Sequence, residues 1–578
     1  MTTLQKRWEV MPPATAEHLT SFPDLPPLVV QLLYNRQMRT RDEVEAFLSR
    51  RFALDNPFRL KGMNEAVTRL RQAIRAGEAI AVYGDYDVDG VTATALLVPT
   101  LRALGAARVG PYIPNRMEEG YGLNEPALAE LAGQGVKVVI TVDCGVRSVD
   151  EVEYANKLGL DMIITDHHAV GEGLPSAVAV IDARREDDRY PFKHLAGVGL
   201  AFKLAQALLR AERQLPVSNA TRLPQEEDWL DLVALGTVAD LAPLIGENRA
   251  LVSRGIEELN EARRPGIAAM LKEAELEPGQ VDAGKIGFVL GPRLNAAGRL
   301  DDAVASYNLL TTSSVEEADA LAEQLGAQNR ERQRLMNDMV ERAREQVREL
   351  ADERIYVLAS PTYMAGIAGL VASRIMEEFY RPTLVIALEE EESRGSARSI
   401  AGFHITNALD ECDKLLEKYG GHAAAAGFTI RNENIDAFRD KLRVIANREL
   451  SADRLVPTLR IDMALPLARA NWENLALVET LQPFGVRNQR PTFVSYDVQV
   501  RDARSIGTEG TSLKLKLSDG VAVWDAFAFR QGIQPEQVPE RIDVVYTMQS
   551  DVWNNEKRMR LVVKDLRPAD KQAPSSNG

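Results

Sequence analysis

The segment Ala79-Ile80-Ala81-Val82-Tyr83-Gly84-Asp85-Tyr86-Asp87-Val88-Asp89-Gly90-Val91 sets the architecture. Its first five residues are apolar, and a short apolar run ended by glycine reads as a buried strand. Three aspartates then fall between positions 85 and 89, and an apolar helical pattern follows over 91–104. Strand, acidic turn and helix open a βα unit. Val136–Val142 and Asp161–Thr165 repeat the strand pattern, with a helix predicted between them at 149–158. Short apolar strands alternating with helices predict a parallel sheet in an α/β domain. Ligands of such sheets gather beyond the carboxyl ends of the strands. Each of the three strands is followed there by polar residues: the 85–89 aspartates, Asp143-Cys144-Gly145, and Asp166-His167-His168.

The rest of the chain is consistent with a soluble multidomain protein. Its 578 residues predict about three or four domains at roughly 150 residues each. Hydrophobic residues at 45% and charged residues at 26% exclude collagen and wholesale disorder. No apolar run reaches the ~18 residues of a membrane span, and the charged start, residues 1–10, predicts no signal peptide. Two cysteines, Cys144 and Cys412, are too few for a disulfide framework and predict a reducing cytoplasm. With 69 basic against 84 acidic residues the net charge is −15, which disfavours polyanion binding over the whole surface. A local basic groove, or a nuclease whose carboxylates hold metal ions, remains compatible. Only six histidines occur, and His167 and His168 are adjacent.

Outside the sheet the pattern changes several times. Short helices are predicted at 28–33 and 43–47, and Met63, Val67, Leu70 and Ile74 mark another that stops at Gly77. Ala318, Leu321, Leu325, Met336, Val340, Ala343, Val347 and Leu350 line one stripe of a charge-rich stretch, which predicts a long helix between two lobes. Strands at 355–358 and Thr383–Ala387 flank a helix at 369–379, a second and smaller α/β unit. Beyond about residue 455, five strand-like runs at 493–500, 513–517, 521–529, 542–548 and 561–564 predict a small barrel of the OB type.

Three carboxylates in five residues repel one another unless a cation sits among them. Each acidic segment alone has a plain structural reading as a turn or helix cap. Together, at one sheet edge, they suit Mn²⁺, Mg²⁺ or a similar ion held by carboxylates and imidazole. Gly236-Thr237-Val238-Ala239-Asp240 adds a further aspartate at the end of an apolar helical run. Gly291-Pro292-Arg293-Leu294-Asn295-Ala296-Ala297-Gly298-Arg299 reads as a Gly/Pro-bounded loop with two arginines suited to phosphate. This make-up is that of a two-metal phosphoesterase.

The Asp166-His167-His168 triplet, taken with residues 84–90, 142–145, 236–240 and 291–299, strongly resembles the DHH phosphoesterase superfamily. Within it, the pattern over roughly 15–570 resembles the bacterial single-strand-specific DNA exonucleases. Gly395-Ser396-Ala397-Arg398-Ser399-Ile400 and Gly420-Gly421-His422 look like the DHH-associated domain, and Pro483-Phe484-Gly485 with Asn488 and Pro491 like the entry to the OB domain.

The resemblance implies a leader over 1–55, a parallel-sheet DHH catalytic domain over 56–314 and a linking helix over 315–350. A smaller α/β DHH-associated domain over 351–454, an OB-fold barrel over 455–570 and a disordered tail over 571–578 would follow. It implies two Mn²⁺ or Mg²⁺ ions held by Asp87, Asp89, Asp143, His167 and Asp240, with Asp143 as the bridge. Asp85 and Asp166 would orient the ligands, His168 would lie beside the scissile phosphate, and Arg299 and His422 would contact phosphate. Ser396, Arg398 and Arg116 would receive the 5′ end, and Tyr121 would stack on a base, against a competing reading as half-buried core. The implied activity is 5′-to-3′ hydrolysis of single-stranded DNA to mononucleotides in repair and recombination. The protein would be a monomer working with a helicase and a single-stranded-DNA-binding protein, and not with a membrane. Three departures from the family pattern are Cys144, where Asn is frequent, Ala397, where Gly is usual, and Met364, where a polar residue is frequent. Two rival readings are a short DHH oligoribonuclease or phosphatase, disfavoured by the barrel after 455, and an inactive DHH scaffold, disfavoured by the complete ligand set.

Overall fold

The computed structural model describes residues 5–49, 54–116, 119–217, 223–300, 302–350, 353–507, 510, 512–553 and 556–570, so the expected tail at 571–578 lies outside the described residues. The described chain divides into two compact units, one of residues 45–333 with 483–489 and one of the remainder.

The first unit is built on a five-stranded sheet in the order Val109–Tyr112, Ala79–Gly84, Val136–Val142, Asp161–Thr165, Ala179–Ile181, parallel throughout. The order of succession reverses between Ala79–Gly84 and Val136–Val142, which opens a crevice at their carboxyl ends. Both sheet faces are covered, which is why the central strands read as continuous apolar runs. Ile80, Val82, Val138 and Ile140 pack with Leu70, Leu96 and Leu204 of helices Met63–Ala76, Val88–Ala103 and Gly197–Gln214. Ala81, Tyr83, Val139 and Ile164 pack with Leu128 and Val152 of helices Glu125–Gly133 and Val149–Lys157 on the other face. A buried ion pair ties this unit together: Lys203 donates to Glu247 at 2.9 Å, and Glu247 also accepts from Tyr190 and the Asp55 backbone. Removing one partner of such a pair costs about 3–5 kcal/mol, because the other charge is left uncompensated.

Two edge strands were not legible in the sequence. Val109–Tyr112 contains Gly110-Pro111, a pairing that only an edge strand tolerates, and Ala179–Ile181 has three residues. Residues 291–299 are not a loop but part of helix Gly291–Leu300. Pro292 stands where a π-helical turn over Ile286–Leu290 passes directly into this helix, and Leu294, Ala296 and Ala297 are buried.

In the second unit, a five-stranded sheet runs in the order Lys418–His422, Ala425–Arg431, Glu392–Arg398, Thr383–Ala387, Tyr356–Ser360. Its last pair is parallel and the others antiparallel. Helix Val315–Glu349, 35 residues long, carries the chain from the first unit into the second. The C-terminal strands close a five-stranded barrel: Phe493–Ile506 pairs with both Ser512–Ser518 and Arg541–Trp553, and Val523–Ala528 and Glu556–Pro568 complete the ring. Leu513, Leu515 and Leu517 point inward with lysines between them, as strand alternation requires. Bulges at Val500/Asp502, Ser495/Val498 and Val545/Tyr546 supply the bends that closure needs. Arg7–Val10 adds a parallel pairing with Thr458–Ile461 that the charged N-terminal sequence did not announce. Among the described residues no helix is long and apolar enough to cross a membrane.

Candidate metal centre

Strand geometry delivers the aspartates to one place. After Ala79–Gly84 the chain turns, and Asp87 caps helix Val88–Ala103 by accepting from the Asp89 and Gly90 amides at 2.9 and 3.2 Å. Asn295, from helix Gly291–Leu300, accepts from the Val88 amide and fixes the same turn. Asp89 points inward and accepts from the Gly197 and Val198 amides at 2.6 and 2.8 Å, at the start of helix Gly197–Gln214. That approach demands glycine. A Cβ at Gly197 would lie 2.7 Å from the Asp143 Cβ, and one at Gly236 would lie 2.9 Å from the Asp89 Oδ1. Asp143 follows Val136–Val142 in a left-handed conformation, φ +64°, and Asp240 ends helix Leu230–Ala239.

Three groups of ligand atoms result, each within 4.8 Å: Asp143 with His167 and His168, Asp89 with His167 and Asp240, and Asp85 with Asp87 and Asp143. The groups share Asp143 and His167. The His167 Nε2 lies 3.0 Å from the Asp143 Oδ1 and 3.8 Å from oxygens of Asp89 and Asp240. Yet His167 Nε2, Asp143 Oδ1 and Asp85 Oδ1 are buried without a hydrogen-bond partner. Converging acceptor atoms left unsatisfied are expensive in a protein interior, and a cation is the group that would satisfy all of them. The donor set, carboxylates and one or two imidazoles, fits Mn²⁺ or Mg²⁺.

The electrostatics point the same way. Burial first, then the charge of Asp87, pushes Asp89 up to about 7. Burial and then Asp89 push Asp240 up to about 9, and burial and the neighbouring aspartates hold Asp143 and Asp85 well above the usual carboxylate range. Burial, then His168, pushes His167 down to about 3, so its ring is neutral and available as a ligand. Asp166 behaves oppositely. Burial opposes its ionisation, but hydrogen bonds from His168 and from the Val146 amide hold it below the usual range. Its Oδ1 accepts from the His168 Nδ1 at 2.7 Å and from the His167 amide at 2.7 Å, so Asp166 orients both histidines. His168 is half exposed. Burial lowers its pKa, but the Asp166 hydrogen bond outweighs this and the net shift is upward.

Around the cluster, Tyr121 is 53% exposed, stands edge-on to His168 at 5.8 Å and donates to the Asp143 carbonyl at 3.2 Å. The Arg116 guanidinium lies 4.8 Å over the Tyr86 ring. Burial, then the charges of Arg116 and Arg332, pushes Arg299 down to about 9. Arg332 escaped the sequence reading. It sits on the long helix, 8% exposed, with its Nε buried and unpartnered. The signal was an arginine placed off the solvent face of that helix. Arg184, which acts electrostatically on Asp240 and His167, was also missed.

Ser396, Arg398 and His422 belong to the other unit. Residues 395–398 are strand, part of Glu392–Arg398. Ala397 is buried there, paired with Leu384 and Ala426. Ser396 and Arg398 share the opposite face, against helix Ala365–Phe379, where the Arg398 Nη2 approaches Gly369. His422 is exposed at the end of Lys418–His422. Of the departures, Cys144 is fully buried, which raises its thiol pKa and removes it from reaction, and Met364 is 42% exposed beside helix Ala365–Phe379.

Known proteins share this arrangement. The DHH family N-terminal domain matches residues 79–237, the DHHA1 domain 352–447 and the RecJ OB domain 461–565. The single-stranded-DNA-specific exonuclease RecJ of Bacillus subtilis is 38% identical, over 99% of this chain and 72% of its own. The crystal structure of RecJ from Thermus thermophilus in complex with Mn²⁺ superimposes with a TM-score of 0.83 at 30% identity, over 98% of this chain and 80% of that one. Its complex with Mg²⁺ gives 0.77 at 29% identity, over 98% and 79%. Sheet, triplet and domain order are those of the DHH proteins, and the chain belongs to the RecJ family among them.

Proposed function

We propose that this chain is a metal-dependent exonuclease that removes mononucleotides from the 5′ end of single-stranded DNA. One observation carries the reading: Asp85, Asp87, Asp89, Asp143, His167 and Asp240 converge with buried, unpartnered acceptor atoms, and guanidinium groups border them. Asp87, Asp89, Asp143, His167 and Asp240 would hold two ions, with Asp143 shared. Asp85 joins them as a candidate ligand, because its unpartnered Oδ1 belongs to the Asp87 and Asp143 group. Bound Mn²⁺ or Mg²⁺ would acidify a water and neutralise charge building on the phosphate.

The chain's own residues do the rest. Asp166 accepts from the His168 Nδ1–H and favours the imidazolium, whose Nε2–H would donate to an oxygen of the scissile phosphate. Arg299, with Arg116 and Arg332, offers a cationic seat for a phosphate. The exposed Tyr121 ring offers a stacking face for a base. Ser396 and Arg398 would take the 5′ end and His422 a phosphate. Domain limits of 56–314, 351–454 and 455–570 fit this division of labour. The setting would be cytoplasmic repair and recombination, by a monomer fed by a helicase and a single-stranded-DNA-binding protein.

The test is digestion of single-stranded and duplex oligomers labelled at either end, with Mn²⁺, Mg²⁺ or chelator. The reading expects labelled mononucleotide at once from 5′-labelled single strands, and only with a metal ion. Immediate release from the 3′ label, or equal cutting of blunt duplex, would overturn it.

A further inference from the structure

Residues 483–489 lie in the chain between helix Trp472–Glu479 and strand Phe493–Ile506, yet they pack within the sheet unit. The Leu244 amide donates to the Val486 carbonyl at 2.8 Å, four residues after Asp240. Gly485 and Asn488 exchange two backbone hydrogen bonds of 2.9 and 3.1 Å, and the buried Asn488 side chain donates to the Pro483 carbonyl at 2.8 Å. The Arg249 guanidinium also reaches that carbonyl, at 3.4 Å. The result is a tight, anchored turn with Arg487 on it, exposed and held at φ +59°. A side chain kept in the left-handed region is costly unless its surroundings fix it there.

Among the described residues Arg487 makes no ion pair with a carboxylate. Its Nη1 lies 3.4 Å from the Nε2 of His194. His194 is itself pinned, its carbonyl accepting from Asn248 at 2.5 Å and its ring edge-on to Phe192 at 5.7 Å. Burial, Arg487 and Arg184 together lower the His194 pKa, so both guanidiniums act electrostatically on the ring. Arg184 is exposed and also acts on Asp240 and His167. Among the described residues neither guanidinium makes a salt bridge. Two arginines without a salt bridge, one of them 3.4 Å from a hydrogen-bonding ring and the other acting on that ring, are a setting for an anion, and guanidinium suits phosphate oxygens in particular.

We propose that Arg184, His194 and Arg487 form a second backbone-phosphate subsite, at the Asp240 edge of the acidic cluster. Arg116 and Arg299 act on Asp85 and Asp87 and so border the other edge. The proposal rests on the nuclease reading. A strand with its first nucleotide at the Arg299 edge would cross the cluster and continue past Asp240, so the subsite takes the phosphodiesters 3′ of the bond being cut. The ligand class is the internal phosphate of a single strand.

The test uses the full chain with Arg184→Gln and Arg487→Asn, singly and together. Asparagine is chosen because it tolerates the left-handed backbone. Affinity for a fluorescent 5′-phosphorylated oligothymidylate is measured in chelator over a range of KCl. Each phosphate that the variant no longer neutralises on a single strand should flatten the log–log salt slope by about 0.7, so the double variant should be shallower by about 1.4. Unaltered Mn²⁺ content marks a folded variant, and the surface change Arg184→Gln alone serves if the double variant does not pass. A slope flattened by Arg299→Gln but not by these variants overturns the subsite and keeps the nuclease reading. A native protein that does not bind the oligomer overturns both.

Discussion

Asp143→Asn should make the protein more stable without metal and nearly inactive with it. Asparagine keeps the shape and suits φ +64°, whereas alanine there would add about 1–2 kcal/mol of left-handed strain. The Asp143 oxygen lies within 4.8 Å of oxygens of Asp85 and Asp87. Two full charges at that separation repel by about 3.5 kcal/mol at an effective dielectric of ~20. Partial protonation in the empty cluster relieves some of this, so removing the charge should gain about 1–3 kcal/mol in chelator at pH 8. With Mn²⁺ the order should reverse, because an ion at 100 times its dissociation constant stabilises the native protein by about 2.7 kcal/mol. Hydrolysis should fall at least ~1000-fold, about 4 kcal/mol of barrier, since two cations would have lost their shared anion. Thermal midpoints with chelator and with Mn²⁺, and release of 5′ label from single strands, measure all three. A variant less stable than native in chelator, or one keeping more than about a tenth of the activity (~1.4 kcal/mol), would refute the reasoning.

Other outcomes follow from the same geometry. Arg398→Ala should reduce the preference for 5′-phosphorylated over 5′-hydroxyl strands, and an unchanged preference in competition assays would remove Arg398 from the 5′ end. On the barrel, Trp472 is 45% exposed with the Lys557 Nζ 5.9 Å from its ring, at a cleft of about 470 Å³ also lined by Lys516 and Trp524. Trp472→Ala should weaken single-strand binding by about 1–3 kcal/mol in equilibrium titrations, as loss of one stacked base does; equal affinity would mean that this face does not touch DNA. Truncation near 455 would be a poorer probe, because it also removes the partner of Arg7–Val10 and the 483–489 turn. Asp89 at about 7 and Asp240 at about 9 give the empty native state more protons than the unfolded chain. Their contribution to stability is full below about pH 4 and is lost as pH rises through 7 to 9. Mn²⁺ binding at pH 7 should therefore release protons, seen as a dependence of calorimetric heat on buffer ionisation enthalpy, and heats independent of buffer would contradict the assignment.

Much of the sheet was legible because its central strands are buried on both faces. Residues 138–142 and 162–165 are buried on both faces, so they stand out as apolar runs ended by aspartate or threonine-aspartate. Edge pairings were not legible: Val109–Tyr112 carries Gly-Pro, and Arg7–Val10 owes its pairing to a strand some 450 positions away. Helix Gly291–Leu300 looked like a loop because Gly291-Pro292 opens it and Asn295 and Gly298 interrupt it. Its packing against the 85–89 turn, through Asn295, overrides those local preferences. At the site, the polar residues Asp87, Asp89, Asp143, His167 and Asp240 stood out in the sequence because they follow strand and helix ends, where a local signal is visible. Arg184 and Arg487 carry none, and Arg332 only its place off the solvent face of the long helix. Each is an ordinary surface-type residue until tertiary contacts place Arg332 near Arg299, and Arg184 and Arg487 beside His194. The Asp85 case shows the same limit, since its unpartnered oxygen appears only when Asp87 and Asp143 are seen around it.

Electron paramagnetic resonance of Mn²⁺ titrated into metal-free protein decides whether the acidic cluster is a centre for a pair of ions. Because the Asp143, His167 and His168 group shares His167 with one of the other ligand groups and Asp143 with the other, two ions bound there would be close enough to couple. The account predicts loss of the free Mn²⁺ signal up to two equivalents per chain, with an exchange-coupled spectrum that Asp143→Asn abolishes. A native protein that binds no Mn²⁺, or two ions without coupling, would contradict it.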